Sequence, residues 1–349
     1  MKDIYLGIDS GKMATKVAVY VPETDEVKKF SFRTKVSEGF MEDDQPGEST
    51  YLATVNGKTY KVGNSAKTAA ELETNKMTDL HKICVQTAIG MCSGTKDVTK
   101  VHVALGMPVT DFTNVPKRND YAAFMLPKEV QEIDIKMNGS APVEHKKFEV
   151  VKSLICPESG GLLYLDPAKY QGQTTAIIDI GNLNVNGTYW NSFSIDEDYK
   201  FTSEQGGNIL MYALADELSS KFGRCDANRV ARLLLKPLDE RKLVPNNPNP
   251  LIEEESKAFI TEFLLNHVRE IKRQCDTKHW SIDYLDNPLI FIGGTSPLLA
   301  NEIRQVFGNS VEIYSEPTFA NAEGFLARLV ANELDLFIGD RFSELKVAS

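Results

Sequence analysis

The sequence is poor in groups that crosslink a chain or hold a metal by side chains alone. Its five cysteines, Cys84, Cys92, Cys156, Cys225 and Cys275, are scattered over 349 residues with no C-x-x-C spacing. An odd number so placed argues against a disulfide framework and against a zinc knuckle, and fits free thiols in a reducing compartment. The five histidines, His81, His102, His145, His267 and His279, include no H-x-x-x-H pair, which sets aside a helical two-histidine metal site. Nowhere does an apolar run approach the ~20 residues that span a bilayer, and charge appears within the first three positions, unlike a signal peptide. The expectation is a soluble cytoplasmic protein with no membrane partner. Positive charge is in deficit, 39 Lys and Arg against 49 Asp and Glu, for a net charge of −10. The average field therefore repels polyanions, and direct DNA binding is not expected. Low-complexity segments are absent as well, and the 42% hydrophobic content suffices for two buried cores.

What is present is α/β patterning that starts twice. The chain opens as strand, polar turn and strand over residues 4–8, 9–15 and 16–20, with a third strand at 28–33. Strands at 51–55 and 58–62 are joined by Asn56-Gly57, a strong hairpin signal. Helical patterns cover 65–74 and 79–91, and 100–105 returns as a strand. Near Thr174 the opening recurs: LGIDSGKMATKVAVY (6–20) aligned with AIIDIGNLNVNGTYW (176–190) pairs Asp9 with Asp179 and Gly11 with Gly181. Helices are expected from Gly206 to about 221, at 226–235, at 252–275 and at 319–332, with a proline-rich loop at Pro245, Pro248 and Pro250.

A phosphate chain needs close backbone N–H groups, cations, and a carboxylate to hold Mg²⁺ through its waters. The run DSGKMATK (9–16) offers all three: Asp9 for the metal, Ser10, Gly11 and Lys12 in the turn, and Lys16 within reach of phosphates. Taken alone, the segment is equally a polar hairpin with a solvated lysine. It is not a P-loop, since the spacing before Gly11 is one residue short and Met13 stands where a hydroxyl is required. No well-placed G-x-G-x-x-G supports a dinucleotide fold. The second acidic turn, Asp179-Ile180-Gly181-Asn182, strengthens the phosphate reading, because two such hairpins could hold one triphosphate and its metal. Between them lies ICPESGG (155–161), whose Glu158 could orient or deprotonate an attacking water, although by itself it reads rather as an exposed helix-start residue. Gly293-Gly294-Thr295 is a good candidate for close backbone approach to a nucleoside, with a helix-entry turn as the lesser alternative. The stems of Lys272 and Arg273 could cover a base, though a solvated helix face accounts for them more simply.

Taken in order, these segments resemble the actin, heat-shock chaperone and sugar-kinase superfamily, and within it the ParM/StbA-like bacterial actins. DSGKMATK resembles the first phosphate loop, PES the segment carrying the hydrolytic glutamate, and IIDIGN the second phosphate loop. EQGGN, with Gly206, Gly207 and Asn208, resembles the glycine turn beside the ribose. FIGGTSPLL resembles the adenosine motif, and FANAEGF (319–325) the second connecting segment. Asn182 departs from the usual second glycine, and Leu183-Asn184 lacks the usual hydroxyl pair. The resemblance implies a duplicated ribonuclease H-like α/β fold of two domains, with nucleotide in the inter-domain cleft. Domain I would span 1–168 plus 325–349 and domain II 169–324. It further implies an ATPase using ATP or GTP with Mg²⁺ held by Asp9 and Asp179 through water, and Glu158 as the hydrolytic residue. The expected partners are other copies of the chain in a filament and a ParR-like adaptor on a centromere-like DNA site, as in plasmid partition. A small-molecule kinase or a non-polymerising nucleotide-binding regulator are the alternatives. A chaperone is disfavoured by the absence of a separate peptide-binding domain.

Overall fold

The computed structural model describes residues 3–39, 47–69, 75–137, 141–244, 249–314 and 318–344. The chain divides into two compact units, 1–169 with 319–349, and 170–318.

The first unit is built on a ten-stranded sheet. Its strands in chain order are β1 (Asp3–Ser10), β2 (Ala14–Val21), β3 (Glu26–Arg33), β4 (Lys35–Glu38), β5 (Thr50–Val55), β6 (Lys58–Gly63), β7 (Thr68–Ala69), β8 (Thr99–Met107), β9 (Gln131–Lys136) and β10 (Glu144–Pro157). They lie in the order β3-β2-β1-β8-β10-β9-β5-β6-β4-β7. β1 runs antiparallel to β2 and parallel to β8, and β8 runs parallel to β10. Enclosed on both faces, β1 is buried from Ile4 to Ser10, which explains its nearly unbroken apolar sequence. The Asn56-Gly57 hairpin forms as expected, with both residues at positive φ, 51° and 74°.

The second unit holds β11 (Thr174–Ile180), β12 (Val185–Asn191), β13 (Ser194–Ile195), β14 (Phe201–Ser203), β15 (Ile290–Ile292) and β16 (Glu312–Ile313). Their order is β13-β12-β11-β15-β16, with β14 also on β12. β11 is antiparallel to β12 and parallel to β15, which is parallel to β16. Each sheet is thus an antiparallel hairpin followed, on its other side, by two parallel strands. Even the register repeats, since Asp9 is the ladder partner of Lys16 and Asp179 that of Asn186. Against this sheet lie the helices Gly207–Phe222, Ala227–Leu234 and Pro250–Thr277. Asp226 caps the second by accepting from the Arg229 N–H at 2.8 Å.

Two expectations need correction. The segment 65–69 is a turn and a short strand paired with β4, because sheet pairing overrides its helical propensity. The rest of that expected helix, 70–74, lies outside the described residues, as do Pro245 and Pro248. The expected domain boundary at 324/325 lies six residues earlier, at 318/319. The reason is steric. The helix Ala320–Leu334 packs directly on β1 and on the turn at Gly161: a Cβ on Gly7 would stand 2.1 Å from the Ala322 carbonyl oxygen, and one on Gly324 1.8 Å from that of Gly161. FANAEGF therefore belongs to the first unit.

Candidate functional site

In the first unit, the predicted acidic turn and the predicted glutamate meet through a residue that the sequence did not single out. Asp9, at the end of β1, is 5% exposed. Its carboxylate accepts from Lys16 Nζ at 3.0 Å across the hairpin, and Lys76 Nζ stands 3.9 Å from its other oxygen. Lys76 is itself 6% exposed and forms a short ion pair with Glu158. Burial alone would raise the Asp9 carboxyl, but Lys16 and Lys76 together hold it below the usual carboxylate range. The result is a run of alternating charge, Lys16–Asp9–Lys76–Glu158, in which all but the half-buried Lys16 are buried. Removing any one member leaves a charge uncompensated.

The backbone around this run is tightly tied. Gly11 N–H donates to the Asp9 carbonyl at 3.0 Å, and the Thr34 hydroxyl donates to the Gly11 carbonyl at 2.6 Å. Ser10 points its hydroxyl to His81 Nδ1 at 3.0 Å, so that hydroxyl is engaged within the protein. Burial, aided by the Lys76 and Lys12 charges, pushes His81 down to about 3 and keeps it neutral. Glu158 follows the last strand residue, Pro157, and its N–H donates to the Met107 carbonyl at 2.9 Å. It is buried, so the exposed helix-start alternative does not hold. Ser159 sits in the left-handed region at φ 69° and is fully buried. That conformation costs a non-glycine residue about 1–3 kcal/mol.

In the second unit, three separately predicted segments converge. Gly207 N–H donates to the Gly181 carbonyl at 2.9 Å, Asn208 N–H to the Asn182 carbonyl at 2.6 Å, and Gly206 N–H to the Leu183 carbonyl at 2.8 Å. From the third segment, Thr295 N–H donates to the Ile180 carbonyl at 3.1 Å and its hydroxyl to the Gly181 carbonyl at 3.2 Å. Glycine is required at the crossings. A Cβ on Gly293, at φ 89°, would lie 2.3 Å from Asp179 Oδ1, and one on Gly207 2.3 Å from the Thr295 hydroxyl. Gly294 differs, because a Cβ there would meet nothing within 4 Å. Lys272 and Arg273 pair on their own helix, with Asp276 at 3.0 Å and with Glu270.

The donor set suits a Mg²⁺-polyphosphate. Two lysines can take phosphate oxygens, and a depressed carboxylate can hold waters of a metal that keeps most of its hydration. Among the described residues no three His, Cys, Asp or Glu side chains gather as a metal cage. A cation bound here would draw its other oxygens from phosphate and water.

Residues 7–161 match the family of actin-like protein N-terminal domains. Solved structures resemble nearly the whole chain. One of the archaeal actin homologue Ta0583 superposes with a TM-score of 0.75 at 16% identity, over 95% of this chain and 100% of that one. The Alp12 filament protein gives 0.70 at 20% identity, over 95% and 99%. ParM from Clostridium botulinum, solved as a 15-stranded filament, gives 0.68 at 17%, over 94% and 99%. The chain has an actin-like fold. Curated protein sequences return no match. Both phosphate-loop candidates of this actin-like chain sit at the first hairpin of a unit, where the duplicated fold repeats itself. Two buried residues beside the first hairpin escaped sequence reasoning. Lys76 lies in a polar stretch that gives no signal, and Asn321 lies inside FANAEGF, which was read only as a connecting segment.

Proposed function

We propose that this actin-like chain binds ATP or GTP with Mg²⁺, hydrolyses it slowly, and assembles with copies of itself into a filament. The observation that carries the reading is the Lys16–Asp9–Lys76–Glu158 run of paired charges, which joins a phosphate-type hairpin to a carboxylate able to act on water. The relatives support it: Ta0583 has been solved in complex with ADP, and Alp12, ParM and the Bacillus subtilis plasmid protein AlfA as filaments.

The bound cation would neutralise phosphate charge. The rest belongs to the chain. Lys16 and the turn Ser10-Gly11-Lys12 of the first unit, with Gly181, Asn182, Gly206, Gly207 and Asn208 of the second, would bind the phosphates and ribose. Asp9 and Asp179 would hold metal-bound waters. Gly293, Gly294 and Thr295 would back the nucleoside, bordered by Lys272 and Arg273. Glu158 would orient the attacking water and accept its proton. Cytoplasmic plasmid partition through a ParR-like adaptor on centromere-like DNA completes the proposal.

High-speed pelleting and electron microscopy of the purified protein with Mg-ATP, with Mg-ADP and without nucleotide test it. Filaments above a critical concentration with triphosphate are expected. A chain that stays monomeric across concentration and salt while phosphorylating a small alcohol or acid is a kinase, and the filament reading falls.

A further inference from the structure

The first hairpin is held by a residue that lies outside its motif. Thr34 is the first residue past β3, and the register of β2 on β3, with Ala14 opposite Arg33, sets it against the turn Gly11-Lys12-Met13. It contacts that turn twice. Its N–H donates to the Met13 carbonyl at 3.0 Å, and its hydroxyl donates to the Gly11 carbonyl at 2.6 Å. Behind it, the Thr15 hydroxyl lies 3.0 Å from that of Thr34, and both side chains are fully buried.

Only one polarity satisfies these groups. A carbonyl can only accept, so the single Thr34 hydroxyl proton goes to Gly11, and the Thr34 oxygen accepts from Thr15. Ser10 adds little, since its hydroxyl stands 3.5 Å from Thr15, at the limit of a hydrogen bond, and 3.0 Å from His81 Nδ1. The two threonines therefore form a brace with a fixed direction.

The brace sets a peptide plane. No peptide among the described residues is cis, and in a planar trans peptide the carbonyl and the following N–H point in opposite directions. With the Gly11 carbonyl held to buried Thr34, the Lys12 N–H is aimed away from the threonines. Gly11, Lys12 and Met13 are themselves half-buried, so the side away from Thr34 is the accessible one. Glycine tolerates either orientation of this plane, and a flipped plane would show an anion a carbonyl oxygen in place of an N–H.

We infer that Thr34 is a positioning residue of the first phosphate turn: its hydroxyl, oriented by Thr15, keeps the Gly11–Lys12 peptide with its N–H toward a bound phosphate and its carbonyl away from it. This rests on the proposed role of that turn in binding phosphate. Thr34 touches no ligand in this role. It acts through Gly11 and Lys12.

The test uses full-length protein with Thr34→Val, which keeps the side-chain shape and the backbone bond to Met13 but removes the hydroxyl, and Thr34→Ser, which retains it. In ligand-free protein the Gly11 carbonyl carbon resonance, read through the Lys12 amide, should move in Thr34→Val and stay near its wild-type position in Thr34→Ser. Affinity for Mg-ATP should fall about 5- to 30-fold in Thr34→Val, the size of one net hydrogen bond, and stay within about threefold of wild type in Thr34→Ser. Phosphate release at saturating Mg-ATP should change by less than about threefold in both, because uniform binding is what is lost. An unmoved Gly11 resonance in Thr34→Val overturns the inference whatever the chain binds. So does wild-type affinity in that variant, and so does a loss in Thr34→Ser as large as in Thr34→Val, which would make packing of the methyl the cause. If wild-type protein itself binds no Mg-ATP, the phosphate reading fails and the positioning role falls with it.

Discussion

Glu158 could be singled out in the sequence because it lies between two candidate phosphate loops, whereas Lys76, which holds it, could not. The two are 82 residues apart, and a lysine in a polar stretch carries no mark of burial. Asp9 and Lys16 were legible because the hairpin that pairs them is local. Lys272 and Arg273 were legible as two long stems on one helix, but their ion pairs with Asp276 and Glu270 on that helix were not. The role assigned to Glu158 has a separable consequence. A group that positions or deprotonates the nucleophile is worth about 10²–10⁴-fold in rate, while the loops and lysines still hold the ligand. Glu158→Ala should therefore bind Mg-ATP and assemble, but release phosphate at least about 100-fold more slowly. Light scattering and phosphate release, followed together after limiting ATP, check this. Wild-type scattering should rise and decay, and variant scattering should rise and persist. Phosphate release at the wild-type rate removes Glu158 from the mechanism.

At the scale of elements, hairpins, strand ends and capped helices were readable from period and turn chemistry, but how the loops close on one another was not. Nothing in the sequence says that Gly206, Gly181 and Thr295 are neighbours. Apart from the Thr295 hydroxyl, their contacts are made by backbone groups, which nearly every residue carries alike. Nor does a glycine announce why it is there. Gly324 is needed because its helix touches the Gly161 carbonyl, whereas Gly294 faces open space. This contrast gives a paired prediction. Gly324→Ala forces a Cβ into backbone and should destabilise the ligand-free protein by about 3 kcal/mol. Gly294→Ala should leave its melting temperature within a degree or so, because nothing is displaced and burial of one methyl is worth under ~1 kcal/mol. If Gly294 backs a nucleoside, the same variant should lose most of the rise in melting temperature that Mg-ATP gives wild type. A full rise in Gly294→Ala would move the nucleoside elsewhere.

Over the whole molecule, the duplicated hairpin seen at 6–20 and 176–190 proved to be the start of a repeated sheet topology, so the coarse architecture was readable from one weak internal repeat. The balance of buried charge was not, because it depends on which histidines lie inside. In each unit one histidine is strongly depressed. Burial, with the charges of Lys76 and Lys12, pushes His81 down to about 3, and burial pushes His267 down to about 4. In the unfolded chain both would titrate near the ordinary 6.5. Between that value and the depressed one the unfolded state binds the extra proton, so stability is complete above pH 6.5 and falls as the pH drops through this window. At pH 5 each histidine should cost about 2 kcal/mol. Asp9 is also depressed, but its contribution is present above its unfolded value of 3.8 and is lost only below that, so the two effects occupy different pH ranges. The melting temperature of the ligand-free protein, measured from pH 8 to pH 4.5, should therefore be level down to about 6.5 and then decline. His81→Gln and His267→Gln should each reduce that slope, even where they lower stability at neutral pH. A melting temperature that stays level to pH 4.5 would mean that neither histidine is held neutral by the fold.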